Sequence, residues 1–304
     1  MSTRVFITGV TGYLGSAIAA RFVRSSYEVW GLTRNPERAP SLASRGIHPV
    51  IGELAKAETF LAPLKNCDVA IHVAFDPADT ANQDRLALDA IRLGAQDGRV
   101  RRLVYTSGVW VHGDTGSQVA DESTALNPLD LVRWRPAHED VAIDLAEHEV
   151  KVVVLRPGLV YGGSRGIFGG MFAEAHERKT VHYPGSGGQR WSLIHRDDLA
   201  EAYLRAIERA NGGERYIVTD GSSFTARQIA EAIARVTGAT VQSRDSDEMT
   251  RRFGLFGRAQ LTSQRFDSSR IMRELGWTPQ HTSFVDEVKH FDEDWQAWRG
   301  TPVA

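Results

Sequence analysis

The sequence predicts an α/β fold, a doubly wound parallel sheet with helices on both faces, followed by a smaller C-terminal lobe. Three observations predict it. Short apolar runs alternate with stretches at helical spacing from residue 4 to about residue 155. Glycines follow the first run at spacing G-x-x-G-x-x-G. Past Gly158 the chain changes to glycine-rich loops between shorter elements. With 304 residues, 42% hydrophobic and 24% charged, the chain has the material for one large core and a second lobe.

Val5 to Ile7 reads as a short buried strand, and Leu14, Ile18 and Phe22 recur every four residues as a helix stripe. Gly9, Gly12 and Gly15 therefore lie where a strand turns into a helix. Such a turn lets backbone approach a pyrophosphate, and the helix N-terminus supplies free N–H groups. This context predicts a bound dinucleotide held by Gly9, Thr11, Gly12, Tyr13, Leu14 and Gly15.

Tyr27 to Leu32 is a second strand, stopped by Asn35-Pro36. NAD sites place an acid about 20 residues beyond the glycines. The stretch Gly31 to Pro36 has none, and Glu28 lies at the wrong end of the strand. Arg34 suits a 2′-phosphate instead. The expected cofactor is NADP, with NAD the alternative.

Ile47 to Ile51 is a third strand, with Gly52-Glu53-Leu54 after it. Thr59 to Leu64 reads as helix and Asp68 to Ala74 as a fourth strand, in which His72 reads as a buried histidine satisfied by backbone. A polar stretch from Asp76 to Gln83 enters a helix through Leu86, Ile91 and Leu93. Arg102 to Thr106 is the fifth strand, ending at Ser107-Gly108. A helix from near Pro136 to His148 precedes the sixth strand, Val152 to Leu155, which ends at Arg156-Pro157-Gly158. Ligands of parallel sheets bind beyond the carboxyl ends of the strands. The glycine turn, Arg34, Ala74-Phe75, Ser107 and Arg156-Pro157 then share one rim.

Further on, the glycine loops 161–166 and 185–188 flank a helix from Met171 to Glu177. Asp197-Asp198 reads as the cap of a helix through Ala202, Leu204 and Ile207. Tyr216 to Val218 is a strand; Thr225 to Gly238, Ile271 to Leu275 and Phe284 to Trp298 are helices. The expected division is a dinucleotide-binding domain over 1–160, with a returning segment of about 191–219. The segments 161–190 and 220–304 form a substrate-binding lobe.

A net charge of −2 with no basic run disfavours nucleic acid and anionic membranes as partners. One cysteine, Cys67, forbids an internal disulfide. No apolar run approaches the roughly 20 residues that span a bilayer. The first strand begins too early to leave room for a signal peptide, so a cytoplasmic enzyme is expected, with no metal.

The segments Thr8 to Gly15, Gly52-Glu53-Leu54, His72-Val73-Ala74-Phe75, Leu155 to Gly162, Leu193 to Ala200 and Leu275-Gly276-Trp277-Thr278-Pro279 come in a telling order. They resemble T-G-x-x-G-x-x-G, G-D-L, H-x-A-A, L-R-P-x-x-V-Y-G, V-H-V-x-D-V-A and L-G-W-x-P of the extended short-chain dehydrogenase/reductase family. That family holds sugar-nucleotide epimerases and dehydratases, and the resemblance covers almost the whole chain. It implies a Rossmann fold and further cofactor contacts at Glu53, Leu54, Ala74, Phe75, Thr106, Ser107, Arg135, Pro157, Gly158 and Val160. It also implies pairing of two copies through the helices around 86–98 and 136–148.

The family's active site carries a Ser or Thr after the fifth strand and a Tyr-x-x-x-Lys pair on the next helix, in which the lysine lowers the pKa of the phenol. No Tyr-x-x-x-Lys occurs between residues 108 and 160. Two registers remain open. One sets Arg135 at the Lys and Leu131 at the Tyr; the other sets Trp134 at the Tyr and His138 at the Lys. Neither supplies a phenol. The Ser position falls on Gly108, one residue after Ser107. The segments Tyr105 to Val111 and Trp134 to Glu139 resemble bacterial proteins known only as epimerase/dehydratase-like.

Three groups are candidate proton donors: His138, in the first turn of its helix and facing the rim, His112 and Tyr161. Histidine in general titrates at about 6.5, which suits proton transfer. Arg135 takes the place of the lysine, Ser107 orients a substrate oxygen, and Tyr161 packs against the nicotinamide. Trp110, Trp134, Phe168, Phe172 and Trp191 offer an aromatic lining, which favours an apolar carbonyl or alcohol. Arg165 and Arg190 keep a nucleotide sugar open. The expected function is NADPH-linked oxidoreduction of a small molecule. The alternatives are a dinucleotide sensor without turnover and a nucleotide-sugar epimerase/dehydratase.

Overall fold

A computed structural model of the chain describes residues 2–299. β1 (Arg4–Thr8), α1 (Tyr13–Arg24) and β2 (Glu28–Thr33) form the first parallel unit. α2 (Ala39–Ser44) leads to β3 (Ile47–Ile51), α3 (Leu61–Lys65) to β4 (Val69–His72), α4 (Thr80–Gln96) to β5 (Arg102–Thr106), and α5 (Arg135–Ile143) to β6 (Lys151–Pro157). There follow β7 (Leu159–Tyr161), α6 (Gly166–Arg178), β8 (Thr180–Pro184), β9 (Arg190–His195), α7 (Arg196–Arg209) and β10 (Glu214–Val218). The chain closes with β11 (Ser223–Thr225), α8 (Ala226–Thr237), β12 (Thr240–Arg244), α9 (Ser246–Ala259), α10 (Ser269–Leu275) and α11 (Phe284–Arg299).

Seven strands make one parallel sheet in the order β10-β6-β5-β4-β1-β2-β3. Strand order reverses between β1 and β4, so their carboxyl ends open a crevice. Both faces are covered, which is why the strands read as continuous apolar runs. Val5 and Ile7 of β1 pack with Ile18, Phe22 and Tyr203 on one face. Phe6 packs on the other, with Phe60, Leu88, Ile91 and Tyr105. Each such buried side chain contributes about 1.5–3 kcal/mol. At the sheet ends, the Ile217 N–H is taken by Glu122 and the Thr219 N–H by Ser268, each at 2.9 Å, and Pro49 stands in β3.

The residues after β6 build smaller sheets: β9 pairs with β7 and β11, and β8 with β12. Phe168, Phe172, Phe284, Phe291 and Trp295 pack into one core between α6 and α11. Among the described residues no helix is long and apolar enough to cross a membrane.

The structure corrects several elements. The fourth strand ends at His72, two residues short of Ala74. α5 stops at Ile143 and continues to His148 as 3-10 turns. α6 starts at Gly166, ahead of Met171. The cap of α7 is His195, whose ring accepts the Asp197 N–H at 3.3 Å. Asp198 instead accepts the N–H groups of Gln280 and His281, each at 2.9 Å, and so anchors the segment after Trp277. β8, β9, β12 and α9 go beyond what the sequence suggests.

Candidate functional site

The turn after β1 is shaped by glycine. Gly9 has φ +75°, and a Cβ there would lie 2.7 Å from Ala74 Cα. At Gly15 a Cβ would lie 2.1 Å from the Gly9 carbonyl oxygen. A side chain at Gly9 would push the turn off the segment after β4, and one at Gly15 would push α1 off the turn. The first turn of α1 carries no acid, so its N–H groups face an uncompensated opening.

Above the turn lies a cleft of about 490 Å³. Gly9, Thr11, Gly12, Tyr13, Leu14 and Gly15 form its floor and one wall. Arg34 enters from the end of β2, Glu53 and Leu54 from beyond β3, Ala74 and Phe75 from beyond β4. This is a cradle of dinucleotide size and chemistry. Two details were not foreseen. The Arg34 guanidinium is paired with the Asp76 carboxylate at 2.6 Å, and the Tyr13 hydroxyl donates to the Gly162 carbonyl at 2.7 Å.

The other residues expected at the site stand at the ends of β5 and β6. Thr106 Oγ1 donates to the His72 carbonyl at 2.6 Å and accepts from the Tyr203 hydroxyl at 2.5 Å. Arg135 Nη1 donates to the Thr106 carbonyl at 2.6 Å, with its guanidinium 4.8 Å over the Trp134 ring. Ser107 is only 6% exposed, and its Oγ has no hydrogen-bond partner. A buried hydroxyl without a partner is costly, and here it stands at the carboxyl end of β5. Pro157 closes β6, Gly158 donates its N–H to Val218, and Val160 lies in β7.

Behind this rim Asp84 of α4, 4% exposed, collects three side chains. His138 Nδ1 lies 2.7 Å from Oδ2, the Tyr105 hydroxyl donates to Oδ2 at 2.8 Å, and His72 Nε2 lies 3.1 Å from Oδ1. The protons follow from the network. Thr8 Oγ1 accepts the Val73 N–H at 3.3 Å, so its own proton goes to His72 Nδ1 at 2.7 Å. His72 then donates from Nε2, and His138 donates from Nδ1, which leaves His138 Nε2 as its free ring nitrogen. Burial pushes the Asp84 carboxyl up, but the hydrogen bonds from His138 and His72 outweigh it and hold it well below the usual carboxylate range. Burial, then the Asp84 charge, raises Tyr105 and keeps its phenol protonated.

His138 turns its Nδ1 edge to Asp84 between α4 and α5, and the side chain keeps 14% of its exposure. Other expectations do not survive. His112 is buried and accepts from Arg156 Nη1 at 3.2 Å; burial and then the Arg156 charge push it down to about 4, so it is a neutral imidazole at neutral pH whose one proton sits on the buried Nδ1. Tyr161 is fully buried in β7, with its hydroxyl on Asp220 at 3.1 Å, and does not reach a nicotinamide. Phe168 and Phe172 are core residues of the C-terminal lobe, since α6 turns that face inward. Arg190 Nη1 is bound to the Ser223 carbonyl at 2.6 Å.

A second cleft, of about 330 Å³, opens in the C-terminal lobe. Met171, Tyr183, Trp191, Met249, Phe253 and Phe256 line it. Glu174, Glu177, Arg178, Arg244 and Arg252 also line it; Glu174 is paired with Arg244 at 2.9 Å and His182 at 3.0 Å, and Glu177 with Arg299 at 3.1 Å. The two clefts are neighbours: a Cβ on Gly166, which lines the second, would lie 3.4 Å from the Tyr13 ring, which lines the first. Trp110, just past Ser107, packs edge-on against Phe256 at 5.8 Å. Between Phe253 and Phe256, α9 is broken at Gly254, with φ 57° and ψ −137°.

The family model for the NAD dependent epimerase/dehydratase family matches residues 5–219, from β1 to the end of the large sheet. The chain belongs to that family. It is an enzyme family, and epimerases, dehydratases and dehydrogenases of this NAD-dependent kind are among the chain's relatives. An uncharacterized protein of Schizosaccharomyces pombe is 28% identical over 294 residues, 94% of this chain and 98% of that protein. The 4-hydroxy-2-methyl-3-oxo-4-farnesyl-3,4-dihydroquinoline-1-oxide ketoreductase of Stigmatella aurantiaca is 27% identical over 246 residues, 77% of this chain and 73% of that protein. Among solved structures, the dTDP-glucose 4,6-dehydratase of Streptomyces venezuelae with NAD bound superposes with a TM-score of 0.85 at 21% identity, over 99% of this chain and 100% of that one.

Within that family frame, sequence reasoning missed Asp84, Tyr105, Tyr203 and Asp76. Asp84 had a readable signal. It shares the buried stripe of α4 with Ala87, Leu88, Ile91 and Ala95, and a carboxylate on an apolar stripe must have partners.

Proposed function

We propose that this enzyme interconverts the carbonyl and alcohol of an apolar small molecule, with NADP(H) as the preferred cofactor. The observation that carries the reading is the second cleft. Its walls carry methionine and aromatic rings that suit an apolar group; of the arginines beside them, Arg178, Arg244 and Arg252, Arg244 is held by Glu174 and Arg252 lies over the Phe253 ring. The ketoreductase likeness supports the same class.

When bound, the nicotinamide supplies or takes up the hydride. Gly9 to Gly15 and the start of α1 would hold the pyrophosphate, Arg34 the 2′-phosphate, and Arg135 the nicotinamide-side ribose. Ser107 Oγ, buried and without a partner, orients the substrate oxygen. His138 carries the proton at Nε2. Asp84 fixes its tautomer through Nδ1 and stabilises the imidazolium. In the reduction His138 Nε2–H protonates the oxygen; in the oxidation the Nε2 lone pair takes that proton back.

A second reading, a dinucleotide sensor without turnover, is favoured by the missing Tyr-x-x-x-Lys pair. NADPH consumption against apolar ketones, aldehydes and nucleotide sugars separates the two. Turnover confined to apolar carbonyls is expected. Saturable NADPH binding with no turnover on any of them would replace the enzyme reading with the sensor.

A further inference from the structure

Arg34 and Asp76 meet across the mouth of the dinucleotide cleft. Arg34 follows β2, Asp76 follows β4, and β1 lies between those strands. The loops carrying the pair are therefore about 10 Å apart at their strands, two inter-strand spacings, and the pair closes over the glycine turn. Nη1 and Oδ2 are 2.6 Å apart, and both residues line the cleft. Among the described residues Asp76 is the one hydrogen-bonding partner of the Arg34 guanidinium, which is otherwise exposed. Asp76 is held in place from behind, because its Oδ1 accepts the Ala78 N–H at 3.1 Å.

We propose that Asp76 is a cofactor-selectivity residue that competes with the ribose 2′-phosphate for Arg34. The proposal rests on the reading of Arg34 as the 2′-phosphate ligand. A ribose 2′-hydroxyl leaves the ion pair intact, and Arg34 gains nothing from it. A 2′-phosphate brings a second anion to a guanidinium that already has one. It must take the fork from Asp76 and leave that carboxylate beside it, like charge against like charge. Asp76 therefore removes part of the advantage that Arg34 gives to NADPH, and the cleft accepts both nucleotides with a narrowed ratio.

The test is direct binding, free of any substrate. Dissociation constants for NADPH and NADH are measured by fluorescence titration for the wild-type chain, Asp76→Asn, Asp76→Ala, Arg34→Ala and Arg34→Ala/Asp76→Asn. Asp76→Asn keeps an acceptor for the Ala78 N–H and removes only the charge. It is expected to tighten NADPH about three- to fivefold, the scale of an exposed ion pair. NADH should stay within about twofold, since no second anion is involved. Asp76→Ala should move the ratio the same way, and in the Arg34→Ala background the effect of Asp76→Asn on the ratio should vanish. Equal changes for both nucleotides, no change for either, or a ratio shift that persists without Arg34 would overturn the proposal. A wild-type chain that binds NADH more tightly would remove the NADP preference alone, because Asp76→Asn would still shift the ratio toward NADPH. A wild-type preference for NADPH that Asp76→Asn leaves untouched would remove the proposal alone.

Discussion

His138 Nδ1 and Asp84 Oδ2 lie 2.7 Å apart, across the packing of α5 on α4. The carboxylate is buried and accepts from three side chains, so it cannot rotate to release one of them without stranding another. One nitrogen of His138 is thereby committed, and the other is left for chemistry.

Turnover tests that division of labour. A positioned general acid contributes about 10²–10⁴ in rate. His138→Ala and Asp84→Asn should each lower kcat by about a hundredfold or more, while the NADPH dissociation constant stays put. Steady-state kinetics beside a binding titration reads both quantities. Unchanged turnover in His138→Ala removes the imidazole from the mechanism.

Glu139 carries a structural prediction. It is 1% exposed and paired with Arg156 at 2.5 Å and Arg215 at 3.2 Å; Arg156 is 2% exposed. Removing one member strands a buried charge, which costs about 3–5 kcal/mol. Glu139→Gln should therefore unfold at much lower denaturant than the wild type. Glu139→Gln/Arg156→Met should recover much of the loss, because no unpaired guanidinium remains. Denaturant midpoints at constant m-value decide it.

Asp220 sets a pH dependence. Burial pushes its carboxyl up to about 6, only partly offset by hydrogen bonds from Ser222 and Tyr161. The folded state then binds this proton more tightly than the unfolded state, so through this group stability falls as pH rises from about 4 to about 6. Asp220→Asn lacks the penalty. Its stability relative to wild type should grow by about 3 kcal/mol between pH 4 and pH 7. His112 and His195, pushed down by burial to about 4 and about 3, act in the opposite direction. The difference between variant and wild type isolates Asp220 from them. A difference independent of pH would contradict the shift.

The dinucleotide half was legible because its signals are local. A buried strand, three glycines and an apolar stripe occupy consecutive residues, and one structure satisfies them all. Arg34 was legible as a residue but not as an ion pair, since Asp76 lies 42 positions away and meets it only through the order of strands. The Asp84 cluster fails to show for the same reason: Thr8, His72, Tyr105 and His138 come from four elements. The C-terminal lobe was harder still. Tyr161, Phe168 and Phe172 look like the lining of a cleft because they flank glycine loops, and only the packing of α11 against α6 turns them inward. The cap of α7 shows propensity yielding to tertiary demand, with Asp198 drawn off to hold the segment at Gln280 and His281.

The side chains at the two margins of the large sheet have a consequence for self-association. Glu122 and Ser268 take the outward N–H groups beside β10. Gly52 donates inward to Thr33, so by alternation residue 49 points away, and there proline has no N–H to offer. A neighbouring copy would meet an interrupted ladder at both margins, and fibril-like stacking meets the same obstacle. Edge-to-edge joining of two such sheets is therefore penalised at either margin.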